Sequence, residues 1–456
     1  AILAQGSRLK TIIHEFMTLP HVIPLFLAIS ASYTEDARHA DETVLLQVEK
    51  NLNHRSVTTD VNTRRSSQYA RLDDRTREFK RIEAMTQAMK QSGLSEELMA
   101  SSASSARSTT MLAAAIIAPN PETCTFGSVS AESCPRNLSR ISTVRVPLPS
   151  PPIGWALIKV SASSINPTEW KNAFLLNKEG GVPLTYPYVT GMDFSGIVVS
   201  TAHLCNSFKP QDEVWGFGVQ AHAEYVIHPC NFLGHKPKTL SFLQAGTLGV
   251  AGMTGLEGLA WTGALNRWTQ WTAPVTVLVI GGSSGTGHFG VQLAKAFGAG
   301  KVISTCSEKN FDLVKSLGAD LVIDYHMHDW WDPAVIPHKS IDIIYDCISL
   351  AGNANHAYDI LAEGGKYVCL LPGCLADAAH VAQRPDLEQF TFIEKWVDTA
   401  HMDILTAQAN AGNLTVSIGS VFNGLQQVPQ LFNASMDGHA VGKLALVVDN
   451  ETAMKI

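Results

Sequence analysis

Residues 275–298 read VTVLVIGGSSGTGHFGVQLAKAFG, and this stretch carries the main evidence on the fold. Its first six residues are apolar and rich in β-branched side chains, which is typical of a buried parallel strand. Gly285, Gly287 and Gly290 then fit the pattern G-x-G-x-x-G, and apolar residues follow with helical character. A strand, a glycine turn and a helix in this order predict a dinucleotide-binding site. Glycines let the backbone approach a pyrophosphate, and free N–H groups at the helix start receive its charge.

The segment after the next strand, 301–305, indicates which dinucleotide is bound. An NAD site usually has an Asp or Glu at the end of this strand, where the carboxylate accepts the ribose hydroxyls. Here that position holds Cys306 or Ser307, and this segment offers hydroxyl, ammonium and amide donors that suit a 2′-phosphate. These donors are Ser307, Lys309 and Asn310. NADPH is therefore predicted over NADH, with a solvated surface role as the alternative for Lys309.

Two further residues belong to this region. Glu308 is the one acid among the donors, and it is expected to point to solvent on a turn. Tyr325 follows the strand after that, and it is expected either to cover the same phosphate or to close the edge of the sheet.

The composition limits the classes of protein to which the chain can belong. The 456 residues are enough for two or three domains with buried cores. The net charge of −7 predicts no basic face for nucleic acid. No apolar stretch reaches the length of a membrane span, since the best one, 19–30, is short and broken by two prolines. The eight cysteines form no C-x-x-C pair, so we expect free buried thiols in a reducing compartment.

A change of composition near residue 100 separates two parts of the chain. Residues 1–98 are polar and charged, and residues 99–110 (MASSASSARSTT) form a linker of small polar residues. We predict that 1–110 is an N-terminal extension and linker, poorly structured or helical, and we assign it no function. Arginine and serine richness leaves an organelle address open, but the acidic residues and the length favour a cytoplasmic protein.

The rest of the chain divides by its patterns into three segments. Residues 111–245 are β-rich and punctuated by glycines, whereas residues 246–373 alternate strand and helix patterns, which predicts a doubly wound parallel sheet. We therefore predict a catalytic domain at 111–245, completed by 374–456, and a nucleotide-binding domain at 246–373. The tail is expected to contain two helical stretches and a final strand, at 385–412, 422–436 and 443–448.

Several motifs in order along 111–456 resemble the medium-chain dehydrogenase/reductase superfamily, in its zinc-free quinone-reductase and enoyl-reductase branch. They are SINPTEWK (164–171), GMDFSG (191–196), AEYV (223–226), AGTLGVAGMTGLEGL (245–259), GGSSGTG (281–287), TCSEKNFDLVKSLGADLVIDY (305–325), DCIS (346–349) and VGKLALVV (441–448). Within this branch the chain is most similar to fungal trans-acting enoyl reductases that partner polyketide synthases. The resemblance implies an α/β protein with a GroES-like β-rich catalytic domain and a Rossmann domain.

The same motifs imply that no metal ion is bound. Zinc alcohol dehydrogenases of this superfamily carry a Cys where this chain has Asn166, and a His-Glu pair where it has Met192 and Asp193. Asn and Met are poor zinc ligands compared with thiolate and imidazole. Histidines near these motifs match no known zinc spacing: His203, His222, His228 and His235.

Three residues are predicted to serve catalysis. Lys171 resembles a lysine that relatives place near the nicotinamide, where it holds the cofactor or positions the substrate; the alternative is a surface lysine. Asn166 either donates its amide to a carbonyl or is a turn residue before Pro167. Thr254 is expected to cap the helix that opens after 251–253 and to touch the cofactor.

The remaining candidates are predicted to contact the cofactor. The glycine turn supplies Gly282, Ser283, Ser284, Gly285, Thr286 and Gly287. The resemblance adds Thr168 and residues at three strand ends or starts, namely Cys347, Ile348, Leu370, Leu371, Val441 and Gly442. Core packing is the alternative for these three segments, most strongly for Ile348 and Leu371.

These observations predict an NADPH-dependent, zinc-independent enoyl reductase of secondary metabolism. Without a Lewis acid to polarise a ketone, an activated C=C bond is the easier target for a hydride. The expected substrate is an α,β-unsaturated thioester or similar enoyl compound, either small or bound to a carrier protein, with a polyketide synthase as the implied partner. The alternatives are a quinone or enone reductase acting on small free substrates and a nucleotide-binding scaffold with little turnover. We expect a monomer or a homodimer.

Overall fold

The part of the chain described by the computed structural model lies mostly beyond residue 108. It comprises residues 109–120, 136–175, 177–179, 182–218, 220–261, 271, 274–391 and 399–455. The N-terminal extension predicted at 1–110 therefore lies outside the described residues, except for its last two positions.

Strands dominate the first part of the described chain. The strands are β1 (Thr110–Ile116), β2 (Ile141–Pro147), β3 (Trp155–Ser164), β4 (Lys178–Glu179), β5 (Val182–Pro183), β6 (Tyr188–Val189), β7 (Asp193–Thr201), β8 (Glu213–Phe217), β9 (Tyr225–Pro229) and β10 (Gly234–His235). The helices are α1 (Pro167–Glu169), which continues into a π-helix (Trp170–Leu175), then α2 (Phe242–Ala245) and α3 (Gly249–Trp261).

From residue 274 onward strands and helices alternate. The strands are β11 (Thr276–Ile280), β12 (Lys301–Cys306), β13 (Leu321–Asp324), β14 (Ile341–Asp346), β15 (Leu361–Cys369), β16 (Glu388–Thr391), β17 (Ile418–Asn423) and β18 (Lys443–Val447). The helices are α4 (Gly287–Ala296), α5 (Phe311–Ser316), α6 (Asn353–Ile360), α7 (Ala378–Gln383), α8 (Thr399–Asn410) and α9 (Val428–Met436).

The two ends of the described chain build the sheet of the predicted catalytic domain, which is called the catalytic lobe below. Its strand order is β10-β8-β7-β3-β18-β17, and β9 also pairs with β3. Strand β18 runs antiparallel to β3, with Ala445 opposite Ser164, and parallel to β17. All five residues of β18 are buried, because the strand lies between two others and both of its faces are covered. The C-terminal strand thus completes a sheet that begins near residue 155.

The predicted nucleotide-binding domain contains a second sheet, called the nucleotide sheet below. It consists of six parallel strands in the order β13-β12-β11-β14-β15-β16. Strand β11 lies at the centre, and the chain passes to one side for β12 and β13 and to the other for β14 to β16. Residues of β11, α3 and α4 share one large apolar core on one side of this sheet. This order has a switch point between β11 and β14, where open parallel sheets bind their ligands beyond the carboxyl ends of the strands.

The tail differs from its predicted pattern in one segment. Residues 385–391 were expected to be helical, but Glu388–Thr391 form strand β16, which pairs in parallel with β15. An open edge of β15 offers unpaired backbone groups, and their pairing outweighs the helical preference of this short polar segment. The nucleotide sheet therefore extends past the domain limit predicted at 373. Helices α8 and α9 and strand β18 agree with the other predictions for the tail.

Four of the eight cysteines are paired, which corrects the expectation of free thiols. Cys205 is joined to Cys230, and Cys369 is joined to Cys374, with Cα–Cα distances of 5.7 and 6.4 Å. Both distances lie in the range that a disulfide bridge requires. Cys306 and Cys347 carry free thiols, and the other two cysteines lie outside the described residues. Spacing failed to reveal the first pair because its two members are 25 residues apart and meet only in the folded lobe.

Within the described ranges, the helices are too short or too polar to span a bilayer.

Candidate active site

The glycine turn after β11 is held in shape by the neighbouring strand β12. The Gly281 N–H donates to the Thr305 hydroxyl at 3.0 Å, and the Gly282 N–H donates to the Thr305 carbonyl at 2.9 Å. Gly281 has a φ of +82°, a backbone conformation that glycine adopts without strain. Sequence reasoning did not identify Thr305, although its place at the end of the second strand was the available signal.

The turn leaves a set of donors unused at the start of α4. Among the described residues, the N–H groups of Ser283, Gly285 and Thr286 have no hydrogen-bond partner. They precede a helix of ten residues, whose N-terminal dipole adds to their attraction for an anion. A Cβ atom on Gly285 would be in ordinary van der Waals contact with the Gly442 carbonyl oxygen at 3.4 Å and the Lys443 Cδ at 3.5 Å, so the turn lies against the start of β18. This cradle fits the pyrophosphate of a dinucleotide.

The donors predicted for a 2′-phosphate lie beside this cradle. Asn310 donates its amide to the Ser283 hydroxyl at 3.3 Å, which joins the segment after β12 to the glycine turn. Lys309 and Glu308 are both exposed, so the acid faces solvent as expected. Tyr325 is 53% exposed just after the edge strand β13, so its ring does not close the sheet and is available to a ligand.

Two other strand ends are joined by a buried carboxylate that sequence reasoning missed. Asp346 ends β14 and is fully buried. It accepts the N–H groups of Ile348 and Ser349 at 2.9 and 2.8 Å and the Tyr367 hydroxyl at 2.7 Å. The Ser349 hydroxyl in turn accepts the Leu370 N–H at 2.8 Å. The predicted segments at 347–348 and 370–371 therefore lie together.

Ile348 is not part of the core, which rules out the packing alternative at this position. Its side chain is 42% exposed and lies directly over Gly281, since a Cβ atom on that glycine would come within 2.5 Å of the Ile348 Cδ1. Leu370 and Leu371 are half-buried at the same edge of the sheet.

The segment before β18 reaches the cradle from the catalytic lobe. The Gly442 N–H donates to the Ser283 carbonyl at 2.8 Å, which links the last strand to the glycine turn. Gly442 has a φ of +65°, and a side chain there would also collide with Ser417. Val441 is half-buried beside it.

Asn166 is buried, and its side chain forms hydrogen bonds to protein groups. This favours a structural role at the turn over the donation of its amide to a substrate carbonyl. Its amide oxygen accepts from the Lys443 ammonium at 2.5 Å, and its amide nitrogen donates to Asp193 at 3.0 Å and to Glu169 at 3.3 Å. The side chain is 3% exposed in total. Both polar atoms of the amide are therefore engaged by the protein rather than directed at a ligand.

Thr254 does not cap a helix, so this expectation was wrong. Helix α3 begins at Gly249, which places Thr254 in the helix interior, where it is 7% exposed. The N-terminus of α3 is instead met by Asp193, whose carboxylate accepts the Val250 N–H at 2.7 Å. A carboxylate 57 residues away thus supplies the acceptor that sequence reasoning sought in a neighbouring threonine.

Lys171 is a half-buried side chain that lies next to an aromatic ring. It lies in the π-helix after α1, a type of local distortion that is frequent at functional sites. Its ammonium lies 5.3 Å from the centre of the Trp170 ring and has no hydrogen bond or ion pair among the described residues. Partial burial lowers the pKa of this lysine. One turn away, the Thr168 hydroxyl accepts from the Asn172 amide at 3.0 Å.

Glu169 is a further buried acid that sequence reasoning missed. Burial, and then the Asp193 charge, raise its pKa to about 8, and hydrogen bonds from Asn166 oppose this rise without cancelling it. The Glu169 carboxylate also accepts the Gly191 N–H at 3.1 Å. The available signal for Glu169 and Asp193 was their position in the motifs SINPTEWK and GMDFSG, where each acid precedes an aromatic residue.

The residues of this site do not fit a zinc ion. Across the described ranges, no cluster of three or more His, Cys, Asp or Glu side chains could hold a metal. The position that carries a zinc ligand in relatives is Asn166, and its oxygen is held by the ammonium of Lys443, which would repel a metal cation. His222 and His228 contact backbone carbonyls of Ser164 and Phe217, each at 2.9 Å.

Because of three buried histidines, the stability of the fold is expected to vary with pH in the acid range. Burial lowers the pKa of His222, His228 and His288 to about 4 from the usual value of 6.5. Between these values the unfolded chain binds more protons, so the stability from the neutral rings is complete above 6.5 and is lost as the pH falls toward 4. Glu169 acts in the opposite direction, since its raised pKa adds stability as the pH falls.

The free energy of unfolding is therefore expected to be about 3 kcal/mol lower at pH 5 than at pH 7, since each pKa unit is worth about 1.4 kcal/mol. Urea unfolding at the two pH values measures this difference. Equal or greater stability at pH 5 would contradict the neutral state of the three rings.

Comparison with known proteins agrees with this arrangement. The family model described as alcohol dehydrogenase GroES-like domain matches residues 152–262, and the one described as zinc-binding dehydrogenase matches residues 285–378. The chain is 31% identical over 312 residues to quinone-oxidoreductase QR1, chloroplastic, of Triphysaria versicolor, which covers 66% of this chain and 92% of that protein. It is 33% identical over 236 residues to trans-enoyl reductase TOXD of Cochliobolus carbonum, which covers 49% of this chain and 76% of that protein. The solved structure of the quinone oxidoreductase from Coxiella burnetii matches with a TM-score of 0.59 at 25% identity, over 74% of this chain and 99% of that one.

These comparisons and the two sheets identify the class of the protein as an oxidoreductase. The chain belongs to the medium-chain dehydrogenase/reductase superfamily. The resemblance stated from the motifs is confirmed, and so is the fold class, with a GroES-like lobe and a Rossmann lobe.

Proposed function

We propose that this oxidoreductase is an NADPH-dependent, zinc-independent reductase of enoyl substrates, of the type α,β-unsaturated thioester or enone. The observation that carries the proposal is the Lys171 ammonium, which is half-buried and has no polar partner within the described part of the chain. A half-buried cation has lost part of its hydration, and a ligand that accepts its hydrogen bonds restores that loss.

The proposed reaction follows from the charge that the reduction creates. Bound NADPH would supply a hydride to the β-carbon of the substrate, and the electron pair of the C=C bond would move toward the carbonyl oxygen. Lys171 donates a hydrogen bond to that oxygen and stabilises its negative charge. A proton from water then adds to the α-carbon, so the double bond gains one hydride and one proton. In the alternative role, Lys171 holds the cofactor and the substrate oxygen is bound by another donor.

Zinc independence is supported by the residues in the ligand positions of the zinc enzymes. Asn166 is bound by Lys443, and Met192 offers a thioether, which is a poor ligand for zinc. The preference for NADPH is supported by the donors after β12, of which Lys309 is exposed and Ser307 and Asn310 are half-buried, and by the exposed Tyr325.

Replacing Lys309 or Ser307 with alanine is expected to raise the Kd for NADPH about 10-fold each, because each change removes a hydrogen bond to a charged phosphate. The Kd for NADH should change little, since it has no 2′-phosphate. Fluorescence titration with both cofactors measures this. The control is Lys301→Ala. This exposed lysine begins strand β12, whereas Ser307 and Lys309 follow the other end of that strand. Equal losses for NADPH and NADH would overturn the phosphate assignment.

The choice of substrate is tested by anaerobic oxidation of NADPH with three acceptors: a crotonyl thioester, a simple enone and a quinone. Turnover of the thioester or the enone supports the proposal. Turnover of the quinone alone supports a quinone reductase. Tight binding of NADPH without turnover of any acceptor would leave a nucleotide-binding scaffold.

A quinone reductase is the second candidate because one specific observation favours it. The quinone oxidoreductase relative of Triphysaria versicolor aligns over almost its whole length. The same lysine would then stabilise the oxygen of a reduced quinone.

Delivery of the substrate is a further part of the proposal. The likeness to trans-enoyl reductase TOXD supports a substrate bound to the carrier protein of a polyketide synthase. A carrier-bound crotonyl group that is reduced at a lower KM than the free thioester would support delivery by the carrier. We keep a monomer or a homodimer as the expected assembly and the cytoplasm as the expected location.

A further inference from the structure

A second lysine lies under the site without facing solvent. Lys443 is 3% exposed, and its ammonium donates to the Asn166 amide oxygen at 2.5 Å, the Ile165 carbonyl at 3.2 Å and Asp193 at 3.2 Å. It follows Gly442, whose N–H is bonded to Ser283 in the glycine turn. Gly442 and Lys443 therefore contact both the glycine turn and the buried polar side chains of the catalytic lobe.

Asp193 completes the connection on the other side of the ammonium. It is fully buried, and one carboxylate oxygen accepts from Lys443, from the Ser164 hydroxyl at 2.6 Å and from the Asn166 amide at 3.0 Å. The other oxygen accepts the Val250 N–H in the first turn of α3. Four chain segments distant in sequence, at 164–166, 193, 250 and 443, thus meet at this ion pair.

Asn166 connects this ion pair to the helix that carries Lys171. It precedes α1, and its backbone N–H donates to the Glu169 carboxylate at 2.9 Å across the first turn. The π-helix with Lys171 follows directly, so the direction of that helix is set at its start by the position of Asn166. Loss of the ammonium would release the Asn166 oxygen and leave the buried Asp193 charge uncompensated.

We propose that Lys443 is a positioning residue of the reductase: through Asn166 it holds Lys171 in register with the cofactor bound at the glycine turn. This inference rests on the proposed function, since it assigns Lys443 to the reaction at that site. The physical basis is that a small displacement of a group that stabilises charge costs much of the rate, even when the ligands still bind.

The test compares two buried lysines. Lys236 is 5% exposed and also donates to a backbone carbonyl, that of Leu240 at 2.7 Å, but its ion-pair partner is Glu213 in β8 rather than a residue of the site. Lys443→Met and Lys236→Met are measured for thermal unfolding, kcat, KM and the Kd of NADPH. The rate of acylation of Lys171 by acetic anhydride, followed by peptide mass spectrometry, gives a readout that does not need turnover.

We expect Lys443→Met to lower kcat about 10-fold or more, to change the Kd of NADPH by less than about 3-fold and to change the acylation rate of Lys171 at least about 2-fold. Lys236→Met should lower the unfolding temperature with little effect on kcat. The double variant Lys443→Met/Asp193→Asn removes both charges, so it should regain stability but keep the low kcat.

Two results would overturn the proposal. One is equal loss of kcat in the two single variants, and the other is recovery of kcat together with stability in the double variant. If Lys443→Met fails to fold, the double variant carries the test. If the wild-type protein reduces no acceptor, the proposed function fails, whereas the acylation rate still tests the positioning of Lys171. An unchanged rate in the Lys443 variants would then reject it.

Discussion

Replacing Lys171 with methionine is expected to lower kcat/KM for an enoyl acceptor by about 100- to 1000-fold, the usual loss when one charge-stabilising donor is removed. Methionine keeps the length and the apolar packing of the side chain but removes the ammonium. Steady-state oxidation of NADPH measures the loss, and a titration of NADPH should show that cofactor binding is largely retained.

The pH dependence of the wild-type rate gives an independent check on Lys171. Burial places its pKa below the usual value of 10.5, and the protonated form is the donor. The rate should therefore fall as the pH rises through that lowered pKa, and Lys171→Met should lack this basic limb. Lys209→Met, at an exposed lysine, is the control and should behave as the wild type. A loss below about 3-fold in Lys171→Met would contradict a role in charge stabilisation.

Replacing Gly287 with alanine is expected to weaken NADPH binding by about 100-fold or more, because a methyl group there has no space and forces the cradle apart. A Cβ atom on Gly287 would overlap the carbonyl oxygen of Gly281, which is backbone and cannot rotate away. The collision would displace the turn whose N–H groups we propose as the binding site of the pyrophosphate. Fluorescence titration with NADPH measures the loss.

Gly373→Ala is the matched control for this change. A Cβ atom on Gly373 meets no atom within 4 Å, and the residue is exposed on the loop after β15. Binding of NADPH by this variant should stay within about 2-fold of the wild type, because an added methyl group there contacts nothing. Normal binding by Gly287→Ala, in a protein with an unchanged circular dichroism spectrum, would show that the pyrophosphate is held elsewhere.

The glycine turn and the strand ends could be anticipated because they depend on local features of the chain. The run 275–280 and the glycines after it predicted β11, the turn and α4, and the structure has all three in place. The segments expected at the cofactor follow the carboxyl ends of β11 to β15, because parallel strands in register present these ends at one edge of a sheet.

The start of α3 illustrates a failure of the same approach. Thr254 had the chemistry of a capping residue, but the acceptor at this helix start is Asp193, and no local pattern connects the two segments. The disulfide between Cys205 and Cys230 and the edge strand β16 were missed for a similar reason. Each depends on which segments become neighbours after folding, and helical or strand periodicity carries no information on that choice.

Residue types and their short-range order account for the α/β class, the dinucleotide turn and the absence of zinc-type ligands at 166 and 192. These properties follow from backbone sterics, hydrophobic periodicity and ligand chemistry, which act within a few residues. Long-range packing accounts for the burial of Lys443, Asp193 and Glu169 near one another. Two of these groups are 250 residues apart, and only the closed fold removes them from water and makes each charge depend on the other.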